Sequence, residues 1–270
     1  MDHLHAALLG ILQGLTEFLP ISSSGHLVLA PLMMGWKDQS LAFDVAVHFG
    51  TFLAVALYFR RDLGPIISGG FRSLYHRPEG GRESDPDMRM AWGLLVATIP
   101  AGVLGLLLQN VLELEFDAPS LVAGNLIIFG LLMWWADASL RGDRKEGELR
   151  WGEFFLIGCA QALALFPGTS RSGITMTAAM ALGLSRTAAA RLSFLMALPV
   201  ILLAFIYELT VLILTPGAED WGAIVVGSGA AFVTGLGCIH FLLKLLERIG
   251  FLPFVIYRVV LGSVILVMFV

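Results

Sequence analysis

Two stretches decide the fold of this chain: QGLTEFLPISSSG at residues 13–25 and QALALFPGTSRSG at residues 161–173. They align without a gap at an offset of 148 residues, with Gln, Leu, Phe, two Ser and Gly coinciding. Each lies inside an apolar region, residues 4–34 and 154–184, that is split midway by Pro, Gly and a cluster of Ser or Thr. Such a region reads as two short helices joined by a polar turn. Lipid offers no partner to an open backbone turn, so a turn at membrane depth must be sheltered by protein or line a wet cavity. Two re-entrant helical hairpins meet that requirement.

The rest of the chain is built to surround them. Residues 90–112, 118–136 and 221–243 contain no Asp, Glu, Lys or Arg. Residues 43–59, 192–214 and 252–270 contain one each, namely Asp44, Glu208 and Arg258. About 20 helical residues cross a hydrocarbon core of about 30 Å, so six crossings are expected. Composition agrees: 57% of the 270 residues are hydrophobic, 30 are glycine and 14% are charged, where a soluble domain carries about 25% charged residues. Mean hydropathy is +0.82. A solvated enzyme is excluded, and a net charge of −4 leaves no basic stripe for nucleic acid. Cys159 and Cys238 stand far apart in apolar runs and read as small hydrophobes.

The same offset lays the crossing that begins at Phe43 over the one that begins near Arg191. The expectation is therefore an all-α integral membrane protein forming a single domain over residues 1–270, made of two repeats, 1–138 and 151–270. Each repeat holds one hairpin and three crossings. Three crossings per unit is odd, so the second repeat should run upside down. Charge tests this: residues 60–89 carry six arginines and 141–150 carry three arginines and a lysine, whereas 109–118 and 215–222 carry no basic residue. The positive-inside rule places the first two segments in the cytoplasm, together with Arg186, Arg191, Lys244 and Arg248. The first hairpin then enters from outside and the second from inside, with Lys37 the one basic residue out of pattern. The arginine-rich 60–89 segment reads as a solvated determinant of topology. The N-terminus lacks the basic region of a cleavable signal and is expected to remain.

Gln13 and Glu17 share one face of the first arm at i, i+4. Pro20 ends that helix, Ser22, Ser23, Ser24 and Gly25 form the turn, and His26 opens the returning arm. Hydroxyls, an imidazole and helix N-terminal amides converge there, an anion cradle with an acid beside it. The second turn repeats the device with Ser170, Arg171, Ser172 and Thr175, and arginine presents a flat fork suited to two phosphate oxygens. An intramembrane Glu or Arg is functional by default. A carboxylate beside a polyanion needs an intervening cation or a proton to move, so a hard divalent ion held by Glu17 with Gln13 is expected. Either Ser23 or His26 suits the nucleophile, with Arg171 stabilising the transferred phosphoryl group. Arg258 suits either an interfacial position or a substrate phosphate. Asp44 and His48 read as a local helix pair, and Asn125 and His240 as interhelix hydrogen-bond partners.

QGLTEFLPISSSGH at 13–26, FDVAVHFGTFLAVALYFR at 43–60, FPGTSRSGIT at 166–175, RLSFLMALP at 191–199 and FLPFVIYR at 251–258 resemble the bacterial undecaprenyl-diphosphate phosphatase, or bacitracin-resistance, family. The likeness runs nearly end to end. It implies an inner-membrane hydrolase, its site open toward the periplasm, that removes the terminal phosphate of a C55 isoprenyl diphosphate with Mg²⁺ or Ca²⁺ and recycles the carrier lipid for peptidoglycan synthesis. It places the acidic pair on Gln13 and Glu17, the serine/histidine loop on Ser22, Ser23, Ser24 and His26, and the arginine loop on Ser170, Arg171, Ser172 and Thr175. Gln13 stands where one of two carboxylates is expected, which weakens a two-carboxylate metal site. The implied partners are a polyprenyl diphosphate and membrane lipids; a homo-oligomer is admitted without being specified. A polyprenyl-phosphate flippase using the same inverted-repeat pocket is the competing reading. A phosphatidic-acid-phosphatase reading fails, since the chain has no Lys-x6-Arg-Pro motif and no histidine within ten residues after Arg171.

Overall fold

The protein is seen here in a computed structural model that describes residues 2–23, 25–27, 35, 40–75, 85–108, 118–140, 142–214 and 220–269. Its helices are α1 (His3–Thr16), α2 (Leu41–Tyr58), α3 (Arg60–Tyr75), α4 (Pro86–Leu107), α5 (Pro119–Ser139), α6 (Trp151–Ala162), α7 (Arg171–Ala181), α8 (Arg186–Leu214), α9 (Trp221–Leu246) and α10 (Leu252–Phe269). Among the described residues there is no strand, only an isolated bridge between Arg144 and Leu184. The helix starts follow local chemistry. Side chains of Asp2, Ser40, Asp85, Ser170 and Asp220 cap α1, α2, α4, α7 and α9 by accepting from otherwise unpaired amides. Proline stands in the first turn of α4 and α5, where its missing N–H costs nothing.

Six helices, α2, α4, α5, α8, α9 and α10, are long and apolar enough to cross a membrane. The boundaries fall within a few residues of the expected crossings. The largest difference is α8, which begins at Arg186 and runs for 29 residues, about 44 Å at 1.5 Å per residue. Its basic first turns, with Arg186 and Arg191, extend beyond the apolar stretch. The reading of 60–89 as a merely solvated segment is corrected up to Tyr75, because α3 packs along α4. Ile66, Gly69 and Ser73 recur at helical spacing and are buried there. Trp92 donates from Nε1 to Ser73 Oγ at 2.8 Å. Arg60, Arg61 and Arg72 stay exposed, and residues 76–84 lie outside the description.

Close packing depends on small residues, as lipid-embedded helices require. α1 lies along α9, where a side chain on Gly10 or Gly14 would run into the Gly227 carbonyl or the Ala231 carbonyl and Thr234 hydroxyl. α6 lies along α4, where Gly158 faces the Ala97 carbonyl and Gly93 faces the Phe154 ring. Gly10 and Gly158 are themselves 148 residues apart. Eight of the eleven residues of α7 are buried, so this short helix is core on nearly every face. Phe18, beside the first turn, meets Phe194 of α8 edge to face at 5.4 Å, joining both halves in one apolar cluster.

Candidate active site

The two turns meet. Glu17 follows the last residue of α1, and Arg171 is the first residue of α7. Arg171 Nη2 donates to Glu17 Oε1 at 2.8 Å, and Ser172 Oγ donates to the Leu19 carbonyl at 3.1 Å. Ser22 and Ser170, 148 residues apart, both hold a left-handed backbone, φ 76° and 71°, that only glycine adopts freely. Each then serves the turn that follows it: Ser22 Oγ accepts from the Gly25 amide and Ser170 Oγ from the Gly173 amide. The strain turns Ser23 and Arg171, one residue on, toward the same carboxylate.

Glu17 is the hub. Its Oε2 accepts from Ser23 Oγ at 2.9 Å and from Gln13 Nε2 at 3.1 Å, while Oε1 takes the guanidinium. Arg171 spends its other arm, Nη1, on the Ser193 carbonyl of α8 at 2.8 Å. The ion pair is nearly closed off, with side chains 13% and 7% exposed. In such surroundings a carboxylate is kept only by paired charge and hydrogen bonds. Among the described residues, Gln13 Oε1 is buried with no hydrogen-bond partner, as is Oε1 of Gln161, its counterpart 148 residues on. His26 sits one turn past Ser22: Nδ1 lies 2.6 Å from the Ser22 carbonyl and Nε2 2.6 Å from the Tyr257 hydroxyl.

The remaining expected residues brace the turns. Ser170 and Ser172 are buried, with their hydroxyls 3.3 Å apart. Thr175 is buried, its hydroxyl donating to the Arg171 carbonyl of α7 at 2.8 Å and accepting from Ser193 Oγ at 2.8 Å. Arg258, expected at the interface or on substrate phosphate, is fully buried. It donates to the carbonyls of Pro20, Leu126, Asn125, Gly168 and Thr169, tying the turns after α1 and before α7 to α5. Seven residues into an apolar helix, it meets carbonyls from two broken turns and from α5, and they satisfy it better than a distant interface would. Ser24 lies outside the described residues.

Other expectations resolve simply. His48 Nδ1 pairs with the Asp44 carbonyl at 2.8 Å, so that contact is local and main-chain. Asn125 donates to the Pro167 carbonyl at 2.7 Å, and His240 lies 3.3 Å from the Tyr58 hydroxyl, both across helices. Tyr257 and Ser193 lie in FLPFVIYR and RLSFLMALP, yet the sequence gives neither a part in the site. A Tyr or Ser inside an apolar helix carries no sequence signal of which distant group it meets.

Among the described residues no three His, Cys, Asp or Glu side chains cluster closely enough to hold a metal. The donors present are the Glu17 carboxylate, already paired with Arg171, the unpartnered Gln13 Oε1 and the Ser23 hydroxyl. This oxygen set suits a hard cation only if a substrate supplies further anionic oxygens.

Comparisons with known proteins give one answer. Residues 6–264 match the family described as bacitracin resistance protein BacA. Undecaprenyl-diphosphatase 2 of Stutzerimonas stutzeri (strain A1501) is 51% identical, covering 100% of this chain and 99% of the relative. The undecaprenyl-diphosphatases of Teredinibacter turnerae and Chromohalobacter salexigens are each 48% identical, over 97% and 99% of both chains.

Proposed function

This chain belongs to the bacitracin resistance protein BacA family, and from that premise we propose that it is an undecaprenyl-diphosphatase. It cleaves the terminal phosphate from a C55 isoprenyl diphosphate and returns the carrier lipid to peptidoglycan synthesis. The observation that carries this reading is the Glu17 carboxylate held between the Ser23 hydroxyl and the Arg171 guanidinium. A base, a nucleophile and a phosphate-binding fork thus sit within one hydrogen-bonded unit. An embedded site also suits this substrate, since its tail stays in lipid while only the head group enters.

In the proposed reaction Ser23 Oγ attacks the terminal phosphorus and its proton passes to Glu17. The bond from that phosphorus to the bridging oxygen breaks, and the lipid monophosphate leaves. Water then hydrolyses the phosphoserine, releasing inorganic phosphate and restoring the hydroxyl. Arg171 leaves Glu17 for the phosphoryl oxygens, where charge develops. Ser23 is favoured over His26 as nucleophile because its hydroxyl already donates to a carboxylate, whereas both imidazole nitrogens of His26 are engaged elsewhere. Gln13, through Oε1, and Glu17 would hold the Mg²⁺ or Ca²⁺. A bound divalent ion would offset repulsion between Glu17 and the diphosphate and draw charge from the phosphoryl oxygens.

The reading includes two inverted repeats with re-entrant hairpins in the bacterial inner membrane, the site facing the periplasm. Supporting it are the matched backbone strain at Ser22 and Ser170, and the exchanged packing in which the first arm of each expected hairpin, α1 on α9 and α6 on α4, lies on a helix of the other expected repeat. Arg186 with Asp137, Arg191 with Asp62 and Glu146, and Arg144 with Glu153 join segments all expected in the cytoplasm. The test is phosphate release from a C55 diphosphate by purified, detergent-solubilised protein with and without Mg²⁺. Detergent abolishes sidedness, so metal-dependent release supports the enzyme. Absence of release, with lipid translocation in vesicles, would replace it by the flippase. Phosphate trapped on His26 instead of Ser23 would reverse the assignment of nucleophile.

A further inference from the structure

α10 places two neighbouring polar residues against the hairpin turns, and only one of them is accounted for by bracing. Arg258 is buried and satisfies carbonyls. Tyr257, 42% exposed, instead aims its hydroxyl at His26 Nε2, 2.6 Å away and 231 residues distant in sequence. The two rings are nearly parallel, 10° apart. The other imidazole nitrogen settles the direction of that bond. Nδ1 faces the Ser22 carbonyl, which only accepts, so Nδ1 carries the hydrogen. In the neutral ring Nε2 is then a lone pair, and the Tyr257 hydroxyl donates to it.

The chain of bonds continues to the nucleophile. The Ser22 carbonyl also accepts from the His26 backbone amide at 3.3 Å, so His26 holds it twice. Ser22 is the residue in the strained left-handed conformation, and the next residue is Ser23, whose hydroxyl reaches Glu17. A strained backbone position persists only while its surroundings over-determine it. We propose that Tyr257 is a positioning residue for the phosphatase reaction: by fixing the ring and tautomer of His26 it locks the Ser22 carbonyl and so aims Ser23 at Glu17. This rests on the phosphatase reading above. His26 is thereby the middle link of a positioning relay whose Nε2 is occupied by α10.

The experiment compares Tyr257→Phe with wild type in detergent, on protein whose wild-type phosphate release is established first; without that release the phosphatase reading fails before this one is tested. In Tyr257→Phe, kcat falls about three- to tenfold, the effect of one neutral hydrogen bond, while KM stays put. With ¹⁵N-histidine labelling, the His26 Nε2 resonance shifts and signal from the other tautomer appears. His26→Asn provides the second arm: Tyr257→Phe adds nothing to it, because a residue acting through His26 has no effect once the imidazole is gone. Additive losses in the double variant, a raised KM with unchanged kcat, or an unaltered His26 spectrum would each overturn the proposal. A lowered melting temperature with an unchanged tautomer would overturn it too, leaving Tyr257 a packing residue.

Discussion

Replacing Arg171 by lysine keeps the charge and removes the fork, so it isolates what the geometry contributes. In the structure one guanidinium reaches two partners on different elements, Glu17 Oε1 and the Ser193 carbonyl, each at 2.8 Å. A single ammonium cannot hold the α8 carbonyl and present a second donor to a phosphoryl group in the same place. Losing one hydrogen bond that involves a charged group costs about 1.5–3 kcal/mol. At about 1.4 kcal/mol per tenfold, that is a fall in kcat of roughly ten- to hundredfold or somewhat more. Because charge is conserved, the ion pair with Glu17 survives in part and the melting temperature should move little. The assay is initial-rate phosphate release from a C55 diphosphate in detergent, with thermal unfolding on the same samples. Turnover within twofold of wild type would refute the assignment of Arg171 to the transferred phosphoryl group. Loss of activity matched by loss of folded protein would show that the fork serves only the fold.

Glu17→Gln should remove activity and Mg²⁺ stimulation together, since in the proposed reaction one carboxylate would serve as base and as the charged metal donor; retained stimulation by Mg²⁺ would separate these roles. Arg258→Met should strip the turn carbonyls of Pro20, Gly168 and Thr169 of their side-chain donor, and each buried unpaired group costs about 1–3 kcal/mol. The expected result is a large drop in melting temperature, and a raised KM at unchanged stability would return Arg258 to the substrate. Glu153 offers a pH test outside the spans. The hydrogen bond from Arg144 holds its carboxyl below the ordinary 4.5, against the opposing effect of partial burial and with help from the Arg150 amide. A depressed carboxyl stabilises the fold above its unfolded value and loses that contribution as pH falls through the folded one. The melting-temperature gap between wild type and Glu153→Gln should therefore be constant above about pH 6 and close as pH drops below 4.5. A gap that persists at low pH would show that the Arg144–Glu153 pair is not its source.

Hydrophobic run length and charge placement made six crossings legible, because both depend on local composition. The duplicated motif likewise pointed to Glu17, Ser23 and Arg171 as one site, since few arrangements make a buried acid and a buried arginine tolerable except facing each other. Amphipathic α3 was hidden by its arginines: its buried face is only Ile66, Gly69 and Ser73, too sparse a stripe to stand out from a charged loop.

What the sequence by itself determined was which segments prefer lipid, where helices must break and which polar side chains stand inside the apolar regions. These are properties of single residues and near neighbours. What only the tertiary structure decided was the partner of each group. Ser172 and Thr175 stitch the turns, Arg258 is spent on carbonyls from three segments, and Tyr257 reaches His26 across 231 residues. Such pairings depend on how helices are rotated and tilted against one another, and that is set by the close approach of small residues such as Gly10, Gly14 and Gly158 rather than by anything local to the groups that meet.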